Sequence, residues 1–478
     1  MINIRSLLAF ACMLGLAACA VGPDYKRPSV DAPAAFKEAP EGWKPAEPQD
    51  ARVRTNWWEV FADNELNALV DRVAGANQTL RVALANYNRA QALERQARAG
   101  LFPTVSAGVS TTRGSSSLGT GQAVTSNQAS VSAAWEPDLW GEVRRSVESQ
   151  DATVAATRAD LESTKLSLQA QVVQNYFQLR VADSQRALLN EAVDAYTRSL
   201  ELTRNRYTQG VVTRADVVQA QAQLAAAQAQ YTDVDIARAL LEHAIATLVG
   251  VAPTALTITP RPELAQAMTL PVVPGVLPSE LLERRPDIAG AERRVASANA
   301  QIGVAKAAWF PVLDLSGTLG YRSTRWADLI SAPNRLWSLG ASLAETIFDG
   351  GARSASVDAA VASYDASVAA YRQTVLSAFQ EVEDNLATLR VLADEANYQR
   401  EAVRAARESL DLTTNQYKAG TVSYLNVITA QTTLLGNQQN ELNLRSRQLV
   451  ASTVLIRALG GGWQADSTAQ AGAAIAGR

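Results

Sequence analysis

Few side chains in this sequence are equipped for covalent or metal chemistry. A single histidine, His243, and two cysteines, Cys12 and Cys19, stand among 47 acidic and 44 basic residues in a chain of 478. One imidazole and so few thiols cannot assemble a zinc cluster or a Cys–His nucleophile pair. His243 falls inside a helical stretch, where packing or solvation is its expected role. Carboxylates are abundant enough for acid–base work, yet no spacing singles out a pair. Neither an enzyme nor a resident cofactor or metal is expected. The formal net charge of -3 argues against a nucleic-acid-binding surface.

Cys19 is the one reactive side chain with a context. The opening MINIRSLLAFACMLGLAACA carries Arg5, an apolar run from Leu7 to Leu16, and small residues ahead of Cys19, the pattern of an export signal over residues 1–18. Leu16, Ala17, Ala18 and Cys19 resemble the lipobox of bacterial lipoproteins, which makes Cys19 the expected lipidated first residue of the mature chain. Removing residues 1–18 also removes Arg5 and Cys12, leaving 43 basic and 47 acidic side chains and a charge of -4. Cys19 is then the sole thiol, so no intrachain disulfide can form even in an oxidising compartment. Ala20, where Asp would signal retention at the inner membrane, favours the outer membrane by the same resemblance.

A chain this poor in reactive groups must act through its architecture, and a repeat dominates that architecture. Residues 206–221 read RYTQGVVTRADVVQAQ and residues 416–431 read QYKAGTVSYLNVITAQ, identical at six of sixteen positions. Residues 142–209 and 352–419 contain neither Gly nor Pro, each run being 68 residues long; Gly141 and Gly351 precede them and Gly210 and Gly420 end them, at an offset of 210. Leu101-Phe102-Pro103 answers Trp309-Phe310-Pro311, and Gly250 answers Gly460. The expected organisation is a signal at 1–18, an extended segment at 19–59, a first repeat at 60–253, a Pro-rich connector at 254–278, a second repeat at 279–463 and a flexible tail at 464–478. Each repeat should run short helix, strand, loop, strand, very long helix, tight turn, short helix. A helix of 68 residues would be about 100 Å long, and helices expected at 64–100 and 213–249 would stack to about the same height beside it.

The long helix shows two apolar stripes rather than one. Leu161, Leu168, Val172, Tyr176 and Leu179 form the first, and Leu166, Ala170, Val173, Phe177 and Val181 the second. Polar arcs lie between them, one with Glu162, Gln169 and Arg180, the other with Thr164, Ser167, Gln171, Gln174 and Gln178. Two seams and two wet faces describe a stave in a hollow tube; a solid antiparallel coiled coil is the competing reading. Strands are expected at 104–113, 127–138, 313–322 and 336–348, around a Gly/Ser-rich loop at 114–126 in the first repeat. They alternate apolar with small or polar residues, have about the length that crosses a bilayer as a tilted strand, and carry aromatics near their ends, including Phe102, Trp135, Tyr321 and Trp337. The edge of a soluble sandwich is the alternative. No mature segment is apolar enough for a spanning helix, so membrane entry requires a barrel. Four strands cannot close one; two, three or four copies would supply eight, twelve or sixteen.

CAVGPDYKRP at 19–28, ERRPDIAGAERRVASANAQIGVAKAAWFP at 283–311, the two YxxG turns and the closing LGGGW at 459–463 together resemble the TolC-like outer-membrane factors, specifically their lipoprotein branch. The resemblance covers nearly all of the mature chain. It implies a trimer, with a twelve-stranded β-barrel in the outer membrane continued by a twelve-helix α-barrel across the periplasm. It further implies a passive exit duct for drugs or other small molecules, docked through its tips to a periplasmic membrane-fusion adaptor and an inner-membrane pump, commonly of the resistance-nodulation-division type. By the same resemblance the repeated phrase forms hairpin tips that close the duct and receive the adaptor, through Tyr207, Gly210, Val211 and Val212 in the first and Gly420, Thr421 and Val422 in the second. Asp216 matches an acidic position that bonds a tyrosine on the neighbouring hairpin, here Tyr417. Leu425 matches a position that narrows some family pores. Acidic rings of relatives correspond to neutral Asn426 and Thr429, and Val422 stands where relatives often carry Arg, so the gate should rest more on apolar contact than on charge. Two rival functions share parts of this pattern: a duct for secreted polypeptides, and a lipid-anchored tether with no lumen.

Overall fold

A computed structural model describes residues 20–38, 56–115, 123–268, 270, 271, 278, 281 and 284–461. The signal, Cys19, the tail at 464–478 and parts of the N-terminal segment, the Gly/Ser-rich loop and the connector lie outside these residues. In chain order the main elements are α1 (Asn64–Ala76), α2 (Gln78–Ala99), β1 (Thr104–Gly114), β2 (Val124–Trp135), α3 (Glu142–Thr208), α4 (Arg214–Leu248), α5 (Pro286–Ala307), β3 (Val312–Ser323), β4 (Arg335–Ala344), α6 (Ala352–Lys418) and α7 (Tyr424–Ala458). Both long helices have 67 residues, and α4 and α7 have 35 each. Two compact units result: one from residues up to Val30, Ala85–Arg158 and Gly290–Gln373, the other from Asp31–Leu84, Ala159–Ala289 and Thr374 onward. Each unit draws on both sequence repeats, because α3 and α6 begin in the first and end in the second.

The first unit holds one antiparallel sheet in the order β1-β2-β3-β4, so the hairpin of each repeat is joined to the other through β2 and β3. β1 and β3 start directly after the two x-Phe-Pro motifs. The bounds of β1 and β3 fall within a residue of expectation, whereas β2 begins at Val124, inside the loop expected at 114–126, and both β2 and β4 end early. β2 ends at Trp135 rather than 138, since Pro137 lacks the donor a ladder needs and Asp138 accepts from the backbone N–H of Val143 and Arg144 at the start of α3. β4 ends at Ala344 rather than 348, because its partner β3 begins at Val312, opposite Ala344. Gly320 permits the β2–β3 approach, where an added Cβ would stand 2.3 Å from the Ala129 carbonyl oxygen.

In the second unit the stripes of α3 bury against α1, α4 and the preceding turn, in a core that includes Trp57, Phe61, Leu66, Val70, Val172, Tyr176, Phe177 and Ile245. Here only one arc of α3 stays wet. Gln171 and Gln178 are exposed, but Gln169 and Arg180 are buried, which corrects the expectation of two wet faces. The connector and α1 cover the second arc and convert it into a polar network. Arg180 Nη1 donates to Asp183 at 2.9 Å and to the Thr259 carbonyl at 2.7 Å, and its Nη2 donates to Glu65 at 2.6 Å. Arg238 donates to Asp183 and Glu242, and the Glu242 carboxylate accepts from the backbone N–H of Ile258. Burial, together with the hydrogen bond it donates to Asp63, pushes the Tyr176 phenol above its ordinary range.

The expected helix at 64–100 is broken at Asn77, which is extended (φ -66°, ψ 127°) and separates α1 from α2. Its side chain explains the break: Oδ1 accepts from the Leu80 N–H, and Nδ2 donates to the Leu248 carbonyl at the end of α4. In the second repeat Arg285 plays the same part, donating to the Ala458 carbonyl at the end of α7. The two carbonyls lie 210 positions apart, so the repeat keeps the junction while changing the residue that makes it.

The ends of α3, α4, α6 and α7 share one geometry. The N–H of Gly210, Gly250, Gly420 and Gly460 bonds back three residues, the following N–H bonds back five, and all four glycines have φ between 74° and 96°. This Schellman arrangement satisfies helix carbonyls otherwise left open and needs a left-handed residue. The surroundings differ, however. A Cβ on Gly210 would meet nothing within 4 Å, whereas one on Gly250 would stand 2.2 Å from the Ala76 carbonyl oxygen. Gly210→Ala is therefore expected to cost about 1 kcal/mol through backbone strain. Gly250→Ala should add roughly 1–3 kcal/mol of overpacking, seen as a clearly lower thermal midpoint.

Candidate functional site

The sheet's register sorts its side chains into two unlike faces. One carries Val105, Val109, Val131, Leu315, Leu319, Leu339 and Leu343 with alanines between them; the other carries Ser106, Ser110, Ser130, Ser132, Ser316, Thr318, Ser338 and Ser342. The apolar face is open to solvent in the protomer, with Leu339 82% exposed. The opposite face is lined by hydroxyls and carries hydrogen bonds such as Ser106–Ser132 at 2.9 Å and Arg322 to Gln128 at 2.7 Å. An uncovered apolar surface of this extent marks an interface with lipid or protein. The strands are 10 to 12 residues long, the length for crossing a bilayer. Among the described residues, both sheet edges, β1 and β4, lack a partner strand in the protomer. Backbone groups cannot stay unpaired in hydrocarbon, so the sheet must close on further copies.

Residues 20–25 are fastened to the same unit. The Val21 N–H donates to the Trp140 carbonyl at 3.0 Å, Arg145 donates to the Val21 and Gly22 carbonyls and to Asp24, and Asn299 donates to the Pro23 carbonyl. Tyr25 donates to Glu292; burial and that carboxylate together push its phenol far above the ordinary range. The fit is close: a Cβ on Gly141 would stand 2.8 Å from the Ala20 Cα, and one on Gly22 would stand 2.5 Å from the Gly303 Cα. Trp140, stacked on Phe310 at 4.8 Å, braces the junction and donates to the Pro311 carbonyl. Cys19 itself lies outside the described residues, but its covalent neighbour Ala20 is pinned six residues beyond the end of β2, at Gly141.

The two hairpin tips of the second unit come together around a small core of Leu200, Ala220, Tyr417, Tyr424 and Val427, with Val422 partly buried against it. Tyr207, Gly210, Val211, Gly420 and Thr421 are exposed at the turns, and Val212 is half-buried. On α7 the residues alternate by face. Tyr424 and Val427 point into the core, while Leu425, Asn426 and Thr429 are exposed, the last two lining a 260 Å³ groove with Ser409, Thr413 and Thr433 of the same hairpin.

The expected bond between Asp216 and Tyr417 is not formed in the protomer. Asp216 caps its own helix, accepting from the Thr213 N–H and hydroxyl at 2.8 Å each, while the Thr213 oxygen accepts from the Asp216 N–H. This capping box occupies the carboxylate locally. Tyr417 is buried instead, its hydroxyl 3.5 Å from Thr203 Oγ1 and its ring beneath the Arg206 guanidinium at 4.6 Å. Arg206 Nη1 also donates to the Tyr417 carbonyl at 2.7 Å. Tyr424, whose phenol burial pushes up, lies 3.0 Å from Ser199 Oγ. Arg206 and Tyr424 escaped the sequence reading. The only signal was a charge mismatch in the repeat, since the position answering Arg206 is Gln416.

Comparison with known proteins meets this geometry from the other side. The model of the family described as Outer membrane efflux protein matches residues 69–251 and 277–461. The chain belongs to that family. The pyoverdine export outer membrane protein OpmQ of Pseudomonas aeruginosa is 32% identical over 469 residues, covering 96% of this chain and 97% of its own length. The probable efflux pump outer membrane protein TtgC of Pseudomonas putida is 32% identical, covering 98% of this chain and 97% of its own. The solved outer-membrane channel OprN superposes with a TM-score of 0.85 at 33% identity, over 94% of this chain and all of that one. As an outer membrane efflux protein, this chain is a trimeric channel whose four-stranded sheet supplies one third of a β-barrel and whose long helices supply one third of an α-barrel. Its place is the outer membrane, as the exit duct of a tripartite efflux system.

Proposed function

We propose that this channel is a passive outlet for drugs and other small molecules, anchored by lipid at Cys19 and fed by an inner-membrane pump of the resistance-nodulation-division type through a periplasmic adaptor. The single observation that carries the reading is the division of the sheet into an apolar face and a hydroxyl-lined face. Closed into a barrel, the first faces lipid and the second forms a wall without a dedicated ligand pocket, suited to many solutes. The duct contributes passage and the pump contributes energy. Lipidation is supported by the binding of residues 20–25 beside the base of the sheet, which keeps an acyl chain on Cys19 near the barrel rim. The exposed Tyr207, Gly210, Val211, Gly420 and Thr421, with Val212 and Val422, form the surface offered to the adaptor. Leu425, Asn426 and Thr429 line the constriction, an apolar and neutral one, while Tyr417 and Asp216 hold the tips in shape.

Expression in a Gram-negative strain that keeps its pump and adaptor but lacks its own outer-membrane channel tests the reading. Resistance to pump substrates should rise several-fold, and radiolabelled palmitate should enter the wild-type protein but not Cys19→Ser. Unchanged resistance with correctly inserted trimers would defeat the efflux assignment; equal labelling of both proteins would defeat the anchor.

A further inference from the structure

We propose that Arg206 is the positioning residue of the gate, and that it holds the second hairpin closed through the ring and backbone of Tyr417 rather than through the tyrosine hydroxyl. The inference deepens the gate reading above and rests on it. Arg206 lies in the last turn of α3, on the first hairpin. Its guanidinium reaches across to the end of α6 and makes two contacts there: a hydrogen bond to the Tyr417 carbonyl at 2.7 Å, and a position 4.6 Å above the Tyr417 ring centroid. That same carbonyl accepts from the Gly420 N–H at 3.0 Å in the closing turn of α6. A cation thus completes the carbonyl-rich C-terminus of a neighbouring helix, where the helix dipole favours positive charge, and stacks on an aromatic face that also attracts it.

The tie runs one way. The position answering Arg206 in the second hairpin is Gln416, which has no charge; its own carbonyl accepts from the Thr421 N–H and hydroxyl. Asp216, the alternative holder, is engaged in the cap of α4. Tyr417 is buried at 3% exposure, and its hydroxyl meets the first hairpin at Thr203 across 3.5 Å, a distance that makes the contact weak. Swinging the α6–α7 tip away from the α3–α4 tip must therefore break the Arg206 contacts and the 3.0 Å contact of Tyr424 with Ser199, while Tyr417 and Tyr424, rings 5.4 Å apart on the same hairpin, move together. Leu425, Asn426 and Thr429 follow because they stand on the opposite, exposed side of the helix that Tyr424 begins.

Single-channel recording of purified trimers in planar bilayers separates the ring from the hydroxyl. Arg206→Gln and Tyr417→Leu should each raise the opening frequency at least tenfold, and Arg206→Lys, which restores the cation, should fall between Arg206→Gln and wild type. Tyr417→Phe, which keeps the ring and carbonyl, should produce less than a tenth of the effect of Tyr417→Leu. Equal opening by Tyr417→Phe and Tyr417→Leu would assign the hold to the hydroxyl and overturn the proposal. If Leu425→Ala opens the channel while Arg206→Gln does not, the Arg206 assignment alone falls. If neither changes the conductance, the gate itself has been misplaced.

Discussion

Asp183→Ala is expected to destabilise the protomer by roughly 3–5 kcal/mol, the range for breaking a buried ion pair by removing one partner. The Asp183 carboxylate is fully covered and accepts three donors: Arg180 Nη1 at 2.9 Å, Arg238 Nε at 2.8 Å and the Arg261 N–H at 3.0 Å. Arg180 is itself fully covered, so water cannot replace the lost acceptor. Glu65 would remain on Nη2 and the Thr259 carbonyl on Nη1, leaving Nη1 only half satisfied. Arg238 would keep Glu242, and the connector would lose its bond at Arg261. Denaturant unfolding should show the loss as a lower midpoint. The exposed pair of Arg186 and Asp235, 41% and 48% accessible, is the contrast: Arg186→Ala should cost less than about 1 kcal/mol. Similar midpoints for Asp183→Ala and Arg186→Ala would show that the network is not what holds the connector on α3.

Leu339→Arg should abolish insertion of the trimer, while Ser338→Arg, one residue earlier, should leave insertion intact and alter conduction. The two side chains lie near the middle of β4 on opposite faces: Leu339 opposes Gly317 and Ser338 opposes Thr318. An arginine at mid-depth on a lipid face costs roughly 2–4 kcal/mol per copy, and the trimer carries the change three times. On the hydroxyl face the same side chain would sit in water, forming a ring of three charges that lowers cation passage. Heat-modifiable trimers in outer-membrane fractions report the first outcome, and reversal potentials in salt gradients report the second. If both variants inserted equally well, the lipid and lumen faces would have been assigned the wrong way round or not at all.

Much of the architecture was legible because it depends on patterns of period and punctuation. The Gly/Pro-free runs announced α3 and α6 to within a residue, since a helix needs no more than an uninterrupted run and a stop, and Gly210 and Gly420 provide the stop. The strands were found because side-chain alternation and the x-Phe-Pro motifs mark them locally. Where expectations missed, a distant group had decided the local structure. Asn77 breaks the first helix because its side chain meets the carbonyl of Leu248, 171 residues away. Arg180 left the wet face because the connector folded over it.

The hairpin tips show the same division most sharply. Sequence alone determined that each phrase is a tight turn between helices and that glycine closes it, properties of residue type and spacing; a neutral gate at Asn426 and Thr429 was only what the family resemblance implied. The tertiary structure decided which partners those residues take. Asp216 had a near donor in Thr213 and spent its carboxylate there, because a capping box closes over three residues at little entropic cost. Tyr417 and Arg206 met only once the two hairpins had packed side by side, since their contact spans 211 residues and depends on the separation of two helices that no local pattern encodes.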